Sequence, residues 1–293
     1  MLSPKDIAIE DKNVLQEYLG KSESSTYNFT TLFMWAGSGK IQYDIVDGCL
    51  VLFFHGRHHG VGCTYPLGNG NRQAAAEKSF EFMNRQSGSP HFILMTEQMA
   101  EECGAVFGNK LRIYSDRNNA DYVYLSDSLI HLRGKKLHQK KNHLNAFLNH
   151  YDFQYERLGQ ENADECKELF LNWKQGQKNH GSGLSEEATV RLLDNVDKLG
   201  VTLGGIRVDG KLAAFSAGEP ITDDMALIHI EYADTSIRGS FNMINQQFVQ
   251  NEWSGFEFIN REEDMGLEGL RKAKMAYRPV RMVEKYFTEY EGT

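Results

Sequence analysis

Three extended runs in succession, VTLGGIRVD (201–209), KLAAFSAGE (211–219) and MALIHIEYA (225–233), constrain the fold of this chain more than any other feature. Each is rich in apolar and β-branched residues, and Asp209-Gly210 between the first two is a two-residue hairpin signal. Ahead of them stand a strand, FQYERL, and helix-spaced apolar residues over 162–178 and 185–199. Ser185 opens the second of these, with Glu186 and Glu187 in its first turn. After them, Arg238-Gly239-Ser240 introduces a helix over 241–253, FEFIN reads as strand, 267–276 as helix and VRMVEKYF as a last strand. The order is β-α-α-β-β-β-α-β-α-β.

The first half repeats that order. IAIE, helices from Asp11 and over 29–35, strands IQYDIV and CLVLFFH hinged at Asp47-Gly48, then GVGCTYPL, are followed by a helix over 72–86. Strand HFILM, a helix over 97–106 and strand KLRIY complete it. This is the element order of GNAT-type acyltransferases, so the expected fold class is α/β with mixed sheets, in two tandem GNAT-like domains. The expected boundaries are 1–120 for the first domain, 121–151 for a connecting strand (DYVYL) and helix (134–151), and 152–293 for the second. At 293 residues the chain is long enough for two such cores.

The expected connecting helix opens on HLRGKKLHQKKNH (131–143), which holds Arg133, Lys135, Lys136, Lys140 and Lys141 and no acid, in a chain of net charge −8. Like charges on one helix face repel by a few tenths of a kcal/mol per pair, so a concentrated cationic run favours a compensating anion. Phosphates of RNA fit; a solvated lysine face is the alternative. The acidic remainder confines any nucleic-acid contact to this stretch. Four dispersed cysteines, the lack of a basic-then-apolar leader and the lack of eighteen consecutive apolar residues fit a cytoplasmic chain without a transmembrane segment.

Two long blocks, DSLIHLRGKKLHQKKNHLNAF and FINREEDMGLEGLRKAKMAYRPVRMVEKY, resemble the C-terminal catalytic domain family of phosphatidylglycerol lysyltransferases. The resemblance spans nearly the whole chain. It implies fused GNAT-like domains, similar in plan to Fem-type transferases, that take an aminoacyl group from a charged tRNA and pass it to a lipid hydroxyl or another acceptor. The lipid-modifying members also carry a membrane-embedded portion not matched here, which leaves open a lipid, a wall precursor or a small molecule as acceptor, with peripheral membrane contact. No cofactor is implied beyond the tRNA donor.

Aminoacyl transfer needs a proton acceptor and donors for the oxyanion that forms on the carbonyl. Alternation in ALIHIEYA puts His229 and Glu231 on one face, and Glu231 is the candidate base. Directly after FEFIN come Arg261, to orient a carbonyl or phosphate, and Asp264, to hold an ammonium or else to cap the following helix. Asn260 and Glu262 complete the candidate substrate-binding set with His229, Arg271 and Lys274, the last two alternatively being surface salt-bridge partners. A strand-end ion pair is the alternative for Glu231.

Other signals carry less. The CoA-cradling turn (Q/R)xxGx(G/A), aligned on Gly239, has Ser236 in its first place and Phe241 in its last, which disfavours acetyl-CoA as donor and leaves a CoA-dependent N-acyltransferase as one alternative. A non-catalytic RNA- or peptide-binding module is another. AGSGK (36–40) lacks the first glycine and the Ser/Thr of a nucleotide loop. His55, His58, His59 and Cys63 lack the spacing of a zinc signature, so no metal is expected.

Overall fold

Both Asp-Gly dipeptides make the tight hairpins their sequence predicts: φ is positive at Asp47 (50°), Gly48 (77°), Asp209 (50°) and Gly210 (77°), and the flanking pairs are Val46 with Cys49 and Val208 with Lys211. In the computed structural model, which describes residues 2–37, 41–56, 60–176 and 183–291, the chain divides into two units, 1–120 with 283–293, and 121–282.

The first unit begins with β1 (Lys5–Asp6), α1 (Lys12–Leu19), α2 (Phe29–Trp35), β2 (Ile41–Val46), β3 (Cys49–Gly56) and β4 (Gly60–Cys63), whose strands form an antiparallel sheet in that order. It continues with α3 (Arg72–Ser87), α4 (Glu97–Phe107) and β5 (Leu111–Ser115). Side chains cap three of the helices: Asn28 accepts from Thr31 N, Asn71 from Ala74 N and Thr96 from Met99 N, each capping an otherwise unmatched first-turn amide. Two expected strands are absent. The second half of IAIE enters a 3-10 turn over Ile9–Asp11, and HFILM makes only isolated bridges, because Leu94 at φ 56° breaks its extended run. His58, His59 and residues 38–40 of AGSGK lie outside the described residues.

Gly70 lies against the first hairpin, where an added Cβ would stand 2.3 Å from Asp47 O. The turn that leads into α3 therefore has no room for a side chain. Gly70→Ala is expected to destabilise the first unit by about 2 kcal/mol or more, measured as a lowered thermal midpoint; an unchanged midpoint would contradict the close approach.

The second unit comprises β6 (Asp121–Leu125), α5 (Ser126–His131), α6 (His138–His150), β7 (Phe153–Leu158), α7 (Ala163–Gln175), α8 (Gly183–Leu193), α9 (Val196–Leu199), β8 (Thr202–Val208), β9 (Lys211–Pro220), β10 (Met225–Ala233), α10 (Ser240–Glu252), β11 (Phe258–Asn260), α11 (Glu268–Met275) and β12 (Arg281–Val283). Its sheet runs β12-β6-β11-β10-β9-β8-β7, with β10 and β11 parallel. Phe147 of α6 and Met243, Ile244, Phe248 and Val249 of α10 pack with Tyr122, Tyr124, Ile228 and Ile259 of the sheet in one apolar cluster. Burial of this kind contributes roughly 25 cal/mol per Å² of apolar surface and seats α10 and α6 beside the strand ends of interest.

The boundaries differ from expectation in four ways. Residues 121–151 are no connector, since β6 is an interior strand paired with β11. VRMVEKYF is split: β12 edges the second unit's sheet, while β13 (Tyr286–Tyr290) pairs antiparallel with β5 in the first unit. The expected helix over 134–151 starts only at His138, because Leu132 (φ 46°) and Gly134 (φ 89°) turn the chain and residues 135–137 form a 3-10 turn. Similarly, 185–199 is interrupted between α8 and α9 at Asn195.

Candidate active site

β10 and β11 run parallel, with Leu227 opposite Asn260, so the residues that follow each strand's registered portion emerge at the same end of the sheet. A bulge between Ile228 and Ile230 reorients β10 there. Glu231 is held through both oxygens: Arg261 Nη2 donates to Oε1 at 3.1 Å and Asn245 Nδ2 of α10 donates to Oε2 at 3.0 Å. Both members of the ion pair are largely buried, with side chains 12% and 13% exposed. The Arg261 guanidinium lies 5.1 Å from the Tyr277 ring centroid and 5.7 Å from that of Tyr124. Burial pushes both phenols well above the usual tyrosine range, so they stay neutral. Asn242 Nδ2 donates to Tyr277 Oη at 2.6 Å.

Two buried polar atoms of this cluster have no hydrogen-bond partner, Arg261 Nη1 and Asn245 Oδ1. Buried polar groups are nearly always paired, so an orphaned donor and acceptor flanking one carboxylate set this cluster apart.

Of the five cations in the basic stretch, Lys140 alone turns into this cluster, its Nζ 4.3 Å from the Tyr277 ring centroid. Burial lowers its pKa, the neighbouring Arg261 lowers it further and Glu231 opposes both. Arg133, Lys135, Lys136 and Lys141 are exposed. The helix that carries Lys140 inward starts only at His138, and the other four cations stand in solvent.

The structure gives Asp264, Lys274 and Asn260 internal contacts, and gives Arg271 the salt bridge that was its alternative role. Asp264 is buried and accepts from Arg271 Nε (2.7 Å) and Nη2 (2.8 Å), from Tyr122 Oη and from Gly266 N (2.9 Å). Burial would raise its pKa, yet these donors hold the carboxyl well below the usual carboxylate range. With its lone pairs so occupied, Asp264 clamps the turn before α11 rather than meeting an ammonium. Arg271 is its partner. Lys274, the one buried residue of α11, donates to the carbonyl oxygens of Arg261 (2.6 Å), Glu262 (3.2 Å) and Glu263; burial lowers its pKa to about 8. Asn260 donates to Asp121 at 3.1 Å and accepts from Glu262 N at 2.7 Å. These polar anchors hold a loop whose Glu262 and Met265 adopt positive φ, a conformation that costs free energy and persists where its surroundings enforce it.

His229 sits fully buried between Glu219 (2.9 Å) and Glu262 (3.2 Å). Burial pushes its pKa down, but the two carboxylates outweigh that and raise it to about 9. Burial in turn raises the Glu262 pKa, against the lowering effect of His229. Because the folded pKa of His229 exceeds the unfolded value of about 6.5, its stabilisation is full below pH 6.5 and is lost as pH rises through 9. The second unit is expected to lose on the order of 1.5 kcal/mol between pH 6.5 and 8 from this group, and His229→Gln should remove that slope in urea titrations; a slope that survives the substitution would refute the assignment.

A family model described as "Phosphatidylglycerol lysyltransferase, C-terminal" matches residues 18–289. The chain belongs to this family. A conserved protein of unknown function from Bacteroides thetaiotaomicron is 33% identical over 99% of this chain and 100% of its own, with a TM-score of 0.89. The structure of L-PGS from Bacillus licheniformis shares the fold at 15% identity over 100% of this chain and 94% of its own, with a TM-score of 0.69; FemX does so at 8% identity over 98% and 97%, with a TM-score of 0.59. An uncharacterised protein of Mycoplasmoides gallisepticum is 22% identical over 175 residues, 59% of this chain and 56% of that protein. The fold class is mixed α/β and GNAT-like, as the element order implied.

In this member of the phosphatidylglycerol lysyltransferase family, α6 crosses the start of α10 closely. A Cβ on Gly239, which has φ 88°, would lie 2.6 Å from His143 O. Sequence reasoning missed Asn245, Asn242 and Tyr277 as members of the cluster. A signal existed for the first: Asn245 is a polar residue flanked by Met243, Ile244, Phe248 and Val249, on the side of α10 that must be buried. Among the described residues no group of His, Cys, Asp and Glu could hold a metal ion, and no helix is long and apolar enough to cross a membrane.

Proposed function

We propose that this protein is an aminoacyl-tRNA-dependent transferase and that its second unit carries the reaction at Glu231 and Arg261. The observation that carries this is the orphaned Nη1 of a buried guanidinium beside a carboxylate fixed on both oxygens. An acceptor hydroxyl or amine attacks the ester carbonyl of the aminoacyl group, and Glu231 takes its proton. Nη1 of Arg261 donates to the oxyanion, preorganised where negative charge develops. The carbonyl re-forms as the C–O bond to the tRNA ribose breaks, and the proton returns to that leaving oxygen. Orientation and charge stabilisation suffice, with no covalent enzyme intermediate.

Lys140 joins the donor to this centre. It is the inward end of a cationic stretch whose other members face solvent, an arrangement suited to a polyanion whose terminus enters the cluster. The close crossing of α6 at Gly239 puts a carbonyl oxygen at the start of α10, which supports a donor other than CoA. The test is to incubate the protein with radiolabelled aminoacyl-tRNAs and a cell extract. Label is expected to move from tRNA into a lipid, wall-precursor or small-molecule fraction; label that moves only from acetyl-CoA would replace the proposal with a CoA-dependent acyltransferase.

A further inference from the structure

Where β11 begins, the end of β6, α5 and the second half of α10 border a cleft of about 690 Å³. β6 and β11 pair antiparallel, Leu125 opposite Phe258 and Val123 opposite Asn260, so Glu257 stands just before β11 and Arg261 just beyond it. The extended chain between those two residues covers roughly 13 Å, and Glu231, Arg261, Tyr277 and Lys140 do not line the cleft. It is separate from the transfer centre, and its volume falls within the range of about 300–1,000 Å³ usual for small-molecule sites.

Leu125, Ile130 and Phe256 supply apolar wall, and Asp127 and Glu257 supply charge. Ser126 N donates to Glu257 O at 3.0 Å, which fixes the two acid-bearing segments side by side. No lysine or arginine is among the described residues that line the cleft. Asp127 meets His131 Nε2 at 3.3 Å and Arg133 Nη1 at 3.9 Å, with its own side chain 67% exposed and that of Arg133 72%, and pairs so exposed hold weakly in water. Glu257 has no ion pair or side-chain hydrogen bond among the described residues. Ser126, which joins the two segments, lines the cleft while only 3% exposed, and its Oγ has no hydrogen-bond partner. Buried hydroxyls are nearly always paired; this one stands unpaired at the wall of an acidic cleft. An ammonium carries three N–H donors and no acceptor, the complement of two carboxylates and a hydroxyl oxygen. A hydrocarbon body attached to it would cover the apolar wall. A phosphate or carboxylate ligand would instead meet two like charges.

We propose that this cleft binds a small organic cation, a primary ammonium on an apolar body, independently of the transfer centre. The site goes beyond the transfer reading and does not need it. The experiment is titration calorimetry of the full chain with phenethylamine and hexylamine, each set against the neutral alcohol of the same body, 2-phenylethanol or hexanol. Saturable binding of the amines is expected, about tenfold or more tighter than that of the alcohols, since the ionic contacts are lost in the latter. Asp127→Asn and Glu257→Gln should each weaken the amines about tenfold, and the two together should remove saturation. Circular dichroism and the thermal midpoint should stay near wild type, because both acids are exposed. Glu231→Gln should leave amine binding unchanged. Heats that do not saturate, alcohols bound as tightly as amines, or affinity that survives the double substitution would overturn the proposal. Binding lost in Glu231→Gln and kept in the Asp127 and Glu257 variants would put the amine in the transfer centre and overturn it as well. So would adenosine that saturates the protein at lower concentration than either amine and loses affinity in the same double variant, since the cleft would then be a nucleoside site.

Discussion

Replacing Glu231 by Gln is expected to lower the rate of aminoacyl transfer by roughly 10²- to 10⁴-fold, the usual contribution of a positioned general base. Gln can accept from Arg261 through its one oxygen and, with the Asn245 amide turned over, donate its NH2 to Asn245 Oδ1, so the substitution removes the proton acceptor with little change in shape. It does leave a buried guanidinium without its counter-charge, and breaking a buried pair is destabilising. The comparison is therefore made at a temperature where circular dichroism shows the variant fully folded. A structural role for Glu231 would leave the turnover of the folded variant near wild type, whereas the proposed role removes turnover while charged tRNA is still retained. Arg261→Met should share the defect, because it deletes the orphaned Nη1 donor along with the ion pair.

Lys274→Met is expected to act on stability instead. The ammonium donates to three carbonyl oxygens of the 261–263 loop, and leaving buried acceptors unpaired costs roughly 1–3 kcal/mol each. Some of the three would regain water, so about 3 kcal/mol is a reasonable sum, a drop on the order of 10 °C in the melting transition of a unit this size. The sequence alone suggested that Lys274 touches substrate. The two roles separate cleanly in one variant: a substrate contact predicts lost activity at an unchanged melting temperature, and an internal anchor predicts a lowered melting temperature.

The contrast between these residues shows what the sequence could and could not disclose. The Asp-Gly hairpins and the alternating strands of the second half are local signals, and their register follows from side-chain period and turn chemistry, so they were legible. The end of the chain was not. VRMVEKYF looks like one strand because all its residues suit a strand; only the long-range pairing of Tyr286–Tyr290 with Leu111–Ser115 divides it between two sheets. HFILM failed for a related reason, since a single left-handed Leu94 outweighs five residues of β-propensity.

Within the site, the sequence located the strand ends where polar residues converge but could not sort them. Asp264 and Glu231 are both carboxylates that follow apolar runs. Their difference lies in partners that only the folded chain assembles, Tyr122 from β6 and Arg271 from α11 for one, Asn245 from α10 and Arg261 for the other. Likewise the basic stretch read as one cationic unit, while Gly134 and the late start of α6 leave Lys140 alone inside. Tyr277 receives both Lys140 and Arg261 on its ring, contacts that no local pattern around it announces.

The most direct test is a single-turnover experiment. Tracer aminoacyl-tRNA is mixed with excess protein and the acceptor fraction, and both the surviving ester and the labelled product are followed for wild type and Glu231→Gln. Loss of ester matched by gain of product in wild type, with the variant retaining tRNA but not reacting, is the predicted result. Equal rates for the two proteins, or an ester that persists while acetyl-CoA is consumed, would contradict a transfer centre at Glu231 and Arg261.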